Sequence, residues 1–462
     1  MENVKATIYT HRFLARFVIE AKTPLAVGSG EKDIISDALV ATDVNGLPYI
    51  PATSIAGVVR SMIGKEQTEE YFGYQRGKDG KGSEIIFTEA KIINSKGEVI
   101  DGLNINAMQD DLLKHYTDLP IRQHVRINHK GVTDRAGKFD EQVVYAGTRF
   151  CFELEMVSNG KNEDKFHNVL SQLKSKTFRI GSGTRCGFGE IDVVDLQTKT
   201  LDLSDEKQLS MYLAKSSALN TTDFWSSAFT KQEKTAGDYI EYTLELQPED
   251  FFLFGSGFGD DDVDMTPVRE KKVIWKDGKG AMSEDMVLIP ASSVKGAIAH
   301  RVAFYYNKRK YRFADVPDSD PKVGKSNEAV ACLFGSEGDR SGDRMEGQSR
   351  GKVLFSDIIE KRLPEKILNH VSIDRFTGGA MDGALFSEKT SYGRGESFEV
   401  KLYVEKQVED AEMLVSLEDA LKDICRAMLP LGGGVNRGNG VFTGTLKRDG
   451  ETIYPNNGGS NL

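Results

Sequence analysis

Two carboxylates stand at matched places in this chain. Asp37 lies nine residues after Gly28 in a loop opened by Gly28-Ser29-Gly30, and Asp264 lies nine residues after Gly255 in a loop opened by Gly255-Ser256-Gly257. A lone aspartate, with a reference pKa near 3.9, is a feeble general base at neutral pH. It becomes useful by holding a hydrated divalent cation such as Mg2+ or Mn2+, which favours oxygen ligands. Other acids crowd both loops: Asp33 and Asp43 flank Asp37, and Asp260, Asp261 and Asp262 precede Asp264. A solvated acidic loop is the plainer reading of either segment alone. An EF-hand is excluded at Asp260–Asp264, because its glycine and terminal bidentate glutamate are missing from their places. The matched spacing makes Asp37 and Asp264 the candidate metal-holding, catalytic pair.

Around each acid lie groups suited to phosphate. Gly28 with Ser29 and Gly255 with Ser256 allow a close backbone approach, since glycine lacks Cβ. Each loop runs on to an Ile-Pro-Ala-(Ser/Thr)-Ser turn, at Ile50–Ser54 and Ile289–Ser293. Ser54 and Ser293, or the residue before each, suit a helix N-cap. A helix start presents free N–H groups and a positive dipole end, a seat for phosphate. Arg60, Lys295 and Arg301 add charge nearby. Plain capping is the alternative for each serine. Further on, His124-Val125-Arg126-Ile127-Asn128 and His370-Val371-Ser372-Ile373-Asp374 match, and each leads into a polar, glycine-bearing stretch. Such a hairpin between ordered strands reads as a finger reaching for a partner. Arg126, Lys130, Arg135, Arg375 and Lys389 are its candidate phosphate contacts, with surface solvation the competing reading. His124 and His370 read as hairpin or core support rather than acid catalysts.

The elements that must position these groups repeat too. Residues 13–21 alternate apolar and polar at period two, as do residues 240–246, so a strand feeds each glycine tripeptide. Ile55, Val58, Val59, Met62 and Ile63 form one helical stripe, and Val294, Ile298 and Val302 another. Tyr71-Phe72-Gly73 pairs with Leu333-Phe334-Gly335, each followed by a polar loop and a short apolar strand. Both copies close on one glycine frame: Gly181, Gly183, Gly187 and Gly189 against Gly432, Gly434, Gly438 and Gly440. That frame resembles but does not match a dinucleotide fingerprint, and no Walker lysine follows it. The ordered landmarks predict a doubled domain: residues 1–200, a linker with a packing helix over 201–237, a second copy over 238–448, and a disordered tail over 449–462. Strands and helices in a β-α-β-β order predict an α+β fold, two ferredoxin-like cores, each with an open sheet face of the RRM kind.

Length and composition agree with this. At 462 residues the chain exceeds the size at which one core keeps growing. No apolar run approaches a membrane span, and the first residues carry no apolar signal segment, which together predict a cytoplasmic protein. The four cysteines are scattered with no CxxC pair, which fits a reducing compartment and argues against structural zinc. A net charge of −10 counts against a simple basic nucleic-acid binder, although a basic groove can exist on an acidic protein.

Taken together the landmarks resemble the RAMP superfamily of CRISPR-associated proteins, and more narrowly the repeating backbone subunit of type III effector complexes. The residues that carry the likeness are Gly46-Leu47-Pro48-Tyr49-Ile50-Pro51-Ala52-Thr53-Ser54 with Arg60 in the first copy. In the second they are Ile289–Gly296, Leu333-Phe334-Gly335 and Ile373-Asp374-Arg375-Phe376-Thr377-Gly378. A double copy looks like the fused subunits of D-like subtypes. The resemblance implies two tandem RAMP domains with protruding β-hairpin thumbs, guide crRNA and target single-stranded RNA as partners, and other type III subunits as neighbours. It also implies that the thumbs interrupt the guide–target duplex and that Asp37 and Asp264 support metal-dependent target cleavage. The chain departs from the family pattern at Ala56, at Ala299 (where the first copy has Arg60) and at Ile127-Asn128-His129, so the phosphate grip differs between copies. Three rival readings are a purely architectural crRNA-binding subunit, a metal-independent guide-processing endonuclease using histidine, and a metabolic enzyme with glycine-rich phosphate loops. The missing Walker lysine disfavours the last.

Overall fold

The computed structural model describes residues 9–32, 37–128, 131–160, 162–225, 237–313, 322–336, 339–341, 344–346, 349–408 and 410–454. The expected contact Lys130 and the flanking acid Asp33 lie outside the described residues.

In the first half the elements that matter are β1 (His11–Ala21), α1 (Ala52–Met62), β2 (Ile85–Phe87), β3 (Ile121–Ile127), β4 (Thr133–Gln142), β5 (Arg149–Ser158), α2 (Glu163–Leu173) and β6 (Ile191–Asp202). The main sheet runs β2-β5-β1-β6 with antiparallel neighbours. One face of β1, Phe13, Ala15, Phe17, Ile19 and Ala21, is buried under the two helices, as the period-two pattern requires. Ile55 and Val59 of α1 are fully buried in the same core, each contributing about 1.5–3 kcal/mol. β3 and β4 leave this sheet as a separate antiparallel hairpin.

After the short helix α3 (Glu206–Leu213) the order repeats. The second half holds β7 (Tyr239–Pro248), an added hairpin of β8 (Val273–Lys276) and β9 (Lys279–Met282), α4 (Ala291–Arg309), β10 (Val353–Phe355), β11 (Glu365–Ile373), β12 (Ala380–Tyr392), β13 (Phe398–Glu405), α5 (Ala411–Cys425), β14 (Phe442–Arg448) and β15 (Glu451–Tyr454). Its sheet runs β10-β13-β7-β14-β15, the first four strands in the order of the first half. β11 and β12 form the matching hairpin. Val294, Ile298, Val302 and Tyr306 put one side of α4 into a second core. No helix among the described residues is long and apolar enough to cross a membrane.

Three expectations change here. The tail is not irregular from 449: Glu451–Tyr454 pairs with β14, because Thr452-Ile453-Tyr454 can extend an existing sheet edge. The sheet face turned away from the helices in the first half is not an open RNA platform. In the first half, residues 215–225 lie across that face. Arg16 donates to the carbonyls of Leu219 and Thr221 and pairs with Glu153, which also takes Lys215 and the Trp225 indole N–H. In the second half, Glu241 and Glu245 of β7 are taken up by Lys176 and Lys447, and Tyr403 is buried beneath Arg179. Neither serine caps its helix. The N-cap positions are Pro51 and Pro290, and at α4 the buried Asp357 carboxylate accepts the Ala291 N–H at 2.8 Å. That helix start is met by the protein's own carboxyl group, which accepts one of the free donors a phosphate would use.

The two halves share a buried boundary. Arg122 at the root of the first hairpin reaches Glu270 at 2.5 Å and Asp357 at 3.0 Å in the second half. Burial works against the guanidinium's charge, but the two carboxylates push its pKa up. Burial pushes both carboxyls upward despite Arg122. The hairpin β8–β9 clasps the first half: Val273 enters its core, the Trp275 indole N–H donates to the Gly147 carbonyl at 2.8 Å, and Arg149 lies 4.3 Å over the indole.

Candidate functional site

Each half brings its loop acid to the outgoing strand of its own hairpin. Asp37 donates its N–H to the Asp140 carbonyl at 3.0 Å, and its Oδ2 accepts the Asp140 N–H at 3.2 Å. Asp264 does the same with Ser387: its N–H meets the Ser387 carbonyl at 3.1 Å, while its Oδ2 accepts the Ser387 N–H at 2.8 Å and hydroxyl at 2.9 Å. The next residues form parallel bridges, Ala38 to Glu141 and Met265 to Glu388. Both aspartates are exposed. In each, Oδ2 holds the hairpin and Oδ1 is the oxygen left to face a ligand. The Ser387 hydrogen bonds hold the Asp264 carboxyl below its usual value, so it stays ionised and suits cation binding better than proton abstraction.

One position further along each strand lies a pair that sequence reasoning missed. His124 Nε2 is 3.0 Å from Glu141 Oε1, with the ring stacked on Phe139 at 4.7 Å. His370 Nε2 is 3.1 Å from Glu388 Oε1, with the ring over Phe386 at 6.1 Å. The histidines stood out in the sequence; their glutamates did not. The available signal was the repeated Phe-x-Glu of Phe139–Glu141 and Phe386–Glu388. The copies differ in what completes the pair. Glu388 is fully buried and also takes Arg437 and Asn439 from the glycine frame, whereas Glu141 has Ser182 at 3.4 Å. Each histidine is thereby oriented beside its acid, with Nδ1 as the remaining ring nitrogen.

The other expected contacts scatter. Ser29 and Ser256 hold their own turns: the Ser29 hydroxyl accepts the Glu31 N–H, and that of Ser256 accepts the Phe258 N–H. Gly28 and Gly255 sit in short bridges to Val40 and Pro267. The glycine frame serves packing. A Cβ on Gly189 would lie 2.1 Å from the Ile180 carbonyl oxygen, and one on Gly440 2.0 Å from that of Leu431, both at positive φ. Lys295 points at the domain boundary, its Nζ 3.7 Å from Cys186 Sγ. Arg301 ties α4 to α5 through Asp423 and the Met428 carbonyl, so it is not a free phosphate contact. Ser293 and Arg60 are exposed on their helices, and Ser54 is half-buried. Arg126 and Arg375 are exposed on the two hairpins, Arg375 in a turn that Asp374 locks through the Phe376 and Thr377 N–H groups.

Among the described residues no group of three or more His, Cys, Asp or Glu side chains is placed to hold a metal ion. That leaves the sparse mode typical of Mg2+, one carboxylate with remaining ligands from water and substrate phosphate. Asp37 and Asp264 each fit it with one unused oxygen.

The RAMP superfamily model matches residues 18–192 and 283–443, and the chain belongs to that superfamily, present here as two units in tandem. Membership points to a CRISPR-associated subunit working with RNA in a multi-subunit complex. Asp37 falls inside the first matched segment, and Asp264 precedes the second. None of the curated proteins compared matches the sequence.

Proposed function

We propose that this chain is a backbone subunit of a type III CRISPR effector complex, of the fused kind found in D-like subtypes. On this reading it binds guide crRNA and cleaves complementary target RNA at two positions. Each half is a ferredoxin-like domain, supported by its strand order and crossover helices, and the hairpins β3–β4 and β11–β12 are its thumbs. The observation that carries the reading is the duplicated junction. In both halves an exposed aspartate is bonded to the outgoing strand of a projecting hairpin, one residue before the glutamate that pairs with a hairpin histidine. Cleavage by the RNA's own 2′-OH needs in-line geometry and charge neutralisation at the phosphate. The hairpin wedges the duplex and leaves one phosphodiester unstacked. A Mg2+ or Mn2+ ion held by Asp37 or Asp264 would supply the charge neutralisation. The protein's part is to fix each carboxylate against its hairpin and, at Asp264, to keep it ionised.

The test is the assembled complex with Asp37→Ala or Asp264→Ala. Each variant is expected to lose one cut while guide binding persists; retention of every cut in both removes the site assignment. A second reading, an architectural crRNA-binding subunit, is favoured by one observation: both carboxylates already accept hydrogen bonds from the hairpin backbone, as purely structural acids do. It predicts assembly with no cut assigned to that position.

A further inference from the structure

The two junctions align residue for residue. Gln142 donates its N–H to the Ala38 carbonyl at 3.0 Å, and Lys389 donates its own to the Met265 carbonyl at 2.9 Å. Ala38 and Met265 each follow the loop aspartate, so Gln142 and Lys389 hold the same place on their hairpins. Two residues earlier, Asp140 and Ser387 match in the same way.

These side chains stand beside each acid. Residues two apart on a strand leave the same face. The pairing of β12 is regular from Leu385 to Ser391. From that face the Ser387 hydroxyl reaches Asp264 Oδ2 at 2.9 Å. The Lys389 ammonium leaves it too and meets the same acidic loop, 2.6 Å from Asp260 Oδ2. The other Asp260 oxygen accepts the Asp262 and Val263 N–H groups, which folds the loop back toward the strand. Ser387 and Lys389 start about 7 Å apart. An ammonium on a flexible four-carbon stem can cross from Asp260 to a group bound at Asp264.

The first half arms this face differently. Gln142 is neutral, and its Oε1 accepts the Val40 N–H at 3.1 Å. Asp140 adds a second carboxylate beside Asp37, where Ser387 adds a hydroxyl beside Asp264. Neither position carries a lysine or arginine.

Cleavage makes a cation on this face useful. The 2′-oxygen bonds to phosphorus as the P–O5′ bond breaks. Its proton passes to solvent, and the departing 5′-oxygen takes one from solvent. Negative charge grows meanwhile on the nonbridging oxygens, and a fixed cation beside them lowers the barrier. Asp260 is only a resting partner for that cation: it stands in an exposed loop, where a carboxylate holds an ammonium weakly.

We infer that Lys389 is a catalytic residue of the second site: its ammonium passes from Asp260 to a nonbridging oxygen of the phosphate cut beside Asp264. It stays protonated throughout. The first site has no such group, so charge neutralisation there falls to a cation held by Asp37. The inference rests on the cleavage reading of the same site.

Lys389→Gln gives the second hairpin the side chain the first already carries. In the assembled, guide-loaded complex it is expected to slow the second cut about 10²-fold and to leave the first unchanged. An undiminished second cut, or both cuts slowed alike, overturns the proposal. Asp260→Asn breaks the ion pair and keeps the ammonium, so it separates catalysis from anchoring of the loop. It is expected not to slow the second cut; a loss equal to that of Lys389→Gln overturns the proposal. Binding gives a readout free of metal and of cleavage. In EDTA, a short target fragment with a 2′-deoxy nucleotide at the second cut is titrated at several salt concentrations. The slope of log affinity against log salt is expected to be shallower by about 1 for Lys389→Gln than for the unaltered complex. An unaltered complex that makes neither cut overturns the cleavage reading itself, whereas both cuts with equal slopes overturn only the role of Lys389.

Discussion

At the scale of single residues, Asp264 has two jobs that substitution can separate. Its Oδ2 holds the hairpin through Ser387, and its charge is what a cation would need. Asn at this position keeps an acceptor and loses the charge. Asp264→Asn is expected to preserve hydrogen-exchange protection at the Ser387 amide yet lose the cut that Asp264→Ala loses; a fully active Asn variant shows the charge to be idle. The pH dependence has a fixed sign. The folded state holds Asp264 below its usual value, so the staple's stabilisation is present above the ordinary carboxylate range. It is lost as pH falls through the lowered value, below about 4. Protection of the Ser387 amide, followed by exchange across that range, checks this. Both aspartates and both histidines were legible in the sequence because duplication preserved their spacing. Glu141 and Glu388 were not, since a glutamate on a polar hairpin looks solvated until the register places it two residues past the phenylalanine that faces the histidine, diagonally across the strands.

Elements were legible where one periodicity decided them. The apolar faces of β1 and β7 and the stripes of α1 and α4 are core because nothing else can bury them. The helix starts were misread for the opposite reason. Capping rules look a few residues away, and the group that fills the α4 start is Asp357, which comes from beyond β10 in a strand-end turn. Arg122 was likewise invisible, since nothing local sets it apart from Arg126 on the same strand. Its removal tests how firmly the first hairpin is rooted. Arg122→Leu leaves Glu270 and Asp357 buried without their cation, a loss of about 3–5 kcal/mol. The folded variant then binds protons more tightly than the unfolded chain, so its stability falls as pH rises and the deficit shrinks toward acid. Denaturant melts of the two proteins at several pH values measure the difference, and a deficit independent of pH is the opposing result.

For the whole molecule, the two cores do not stand apart. Val273 of the second half is buried in the first core, and Ala146, Leu288 and Ile359 form a small cluster drawn from both halves. Part of that continuity, through Val273, runs in β8–β9, an insertion the first half lacks at the same place in its fold. There, Asp43 to Leu47 closes a short turn instead. The insertion was the feature least legible in the sequence, because a polar stretch around Asp277-Gly278 reads as loop until Trp275 is seen under Arg149. Since the first half shows that the fold closes without it, the arm can be replaced by the first half's own connection without disturbing the second core. Domains joined by a buried, partly apolar boundary unfold together, and those joined by a weak one unfold separately. The intact chain is therefore expected to melt in one calorimetric transition. The variant with residues 271–285 replaced by the shorter turn should melt in two, its first-half transition lowered by the loss of Val273 from that core. One unchanged transition in the variant would place the coupling in the Arg122 cluster instead, and the Arg122→Leu substitution would then be the change that splits it.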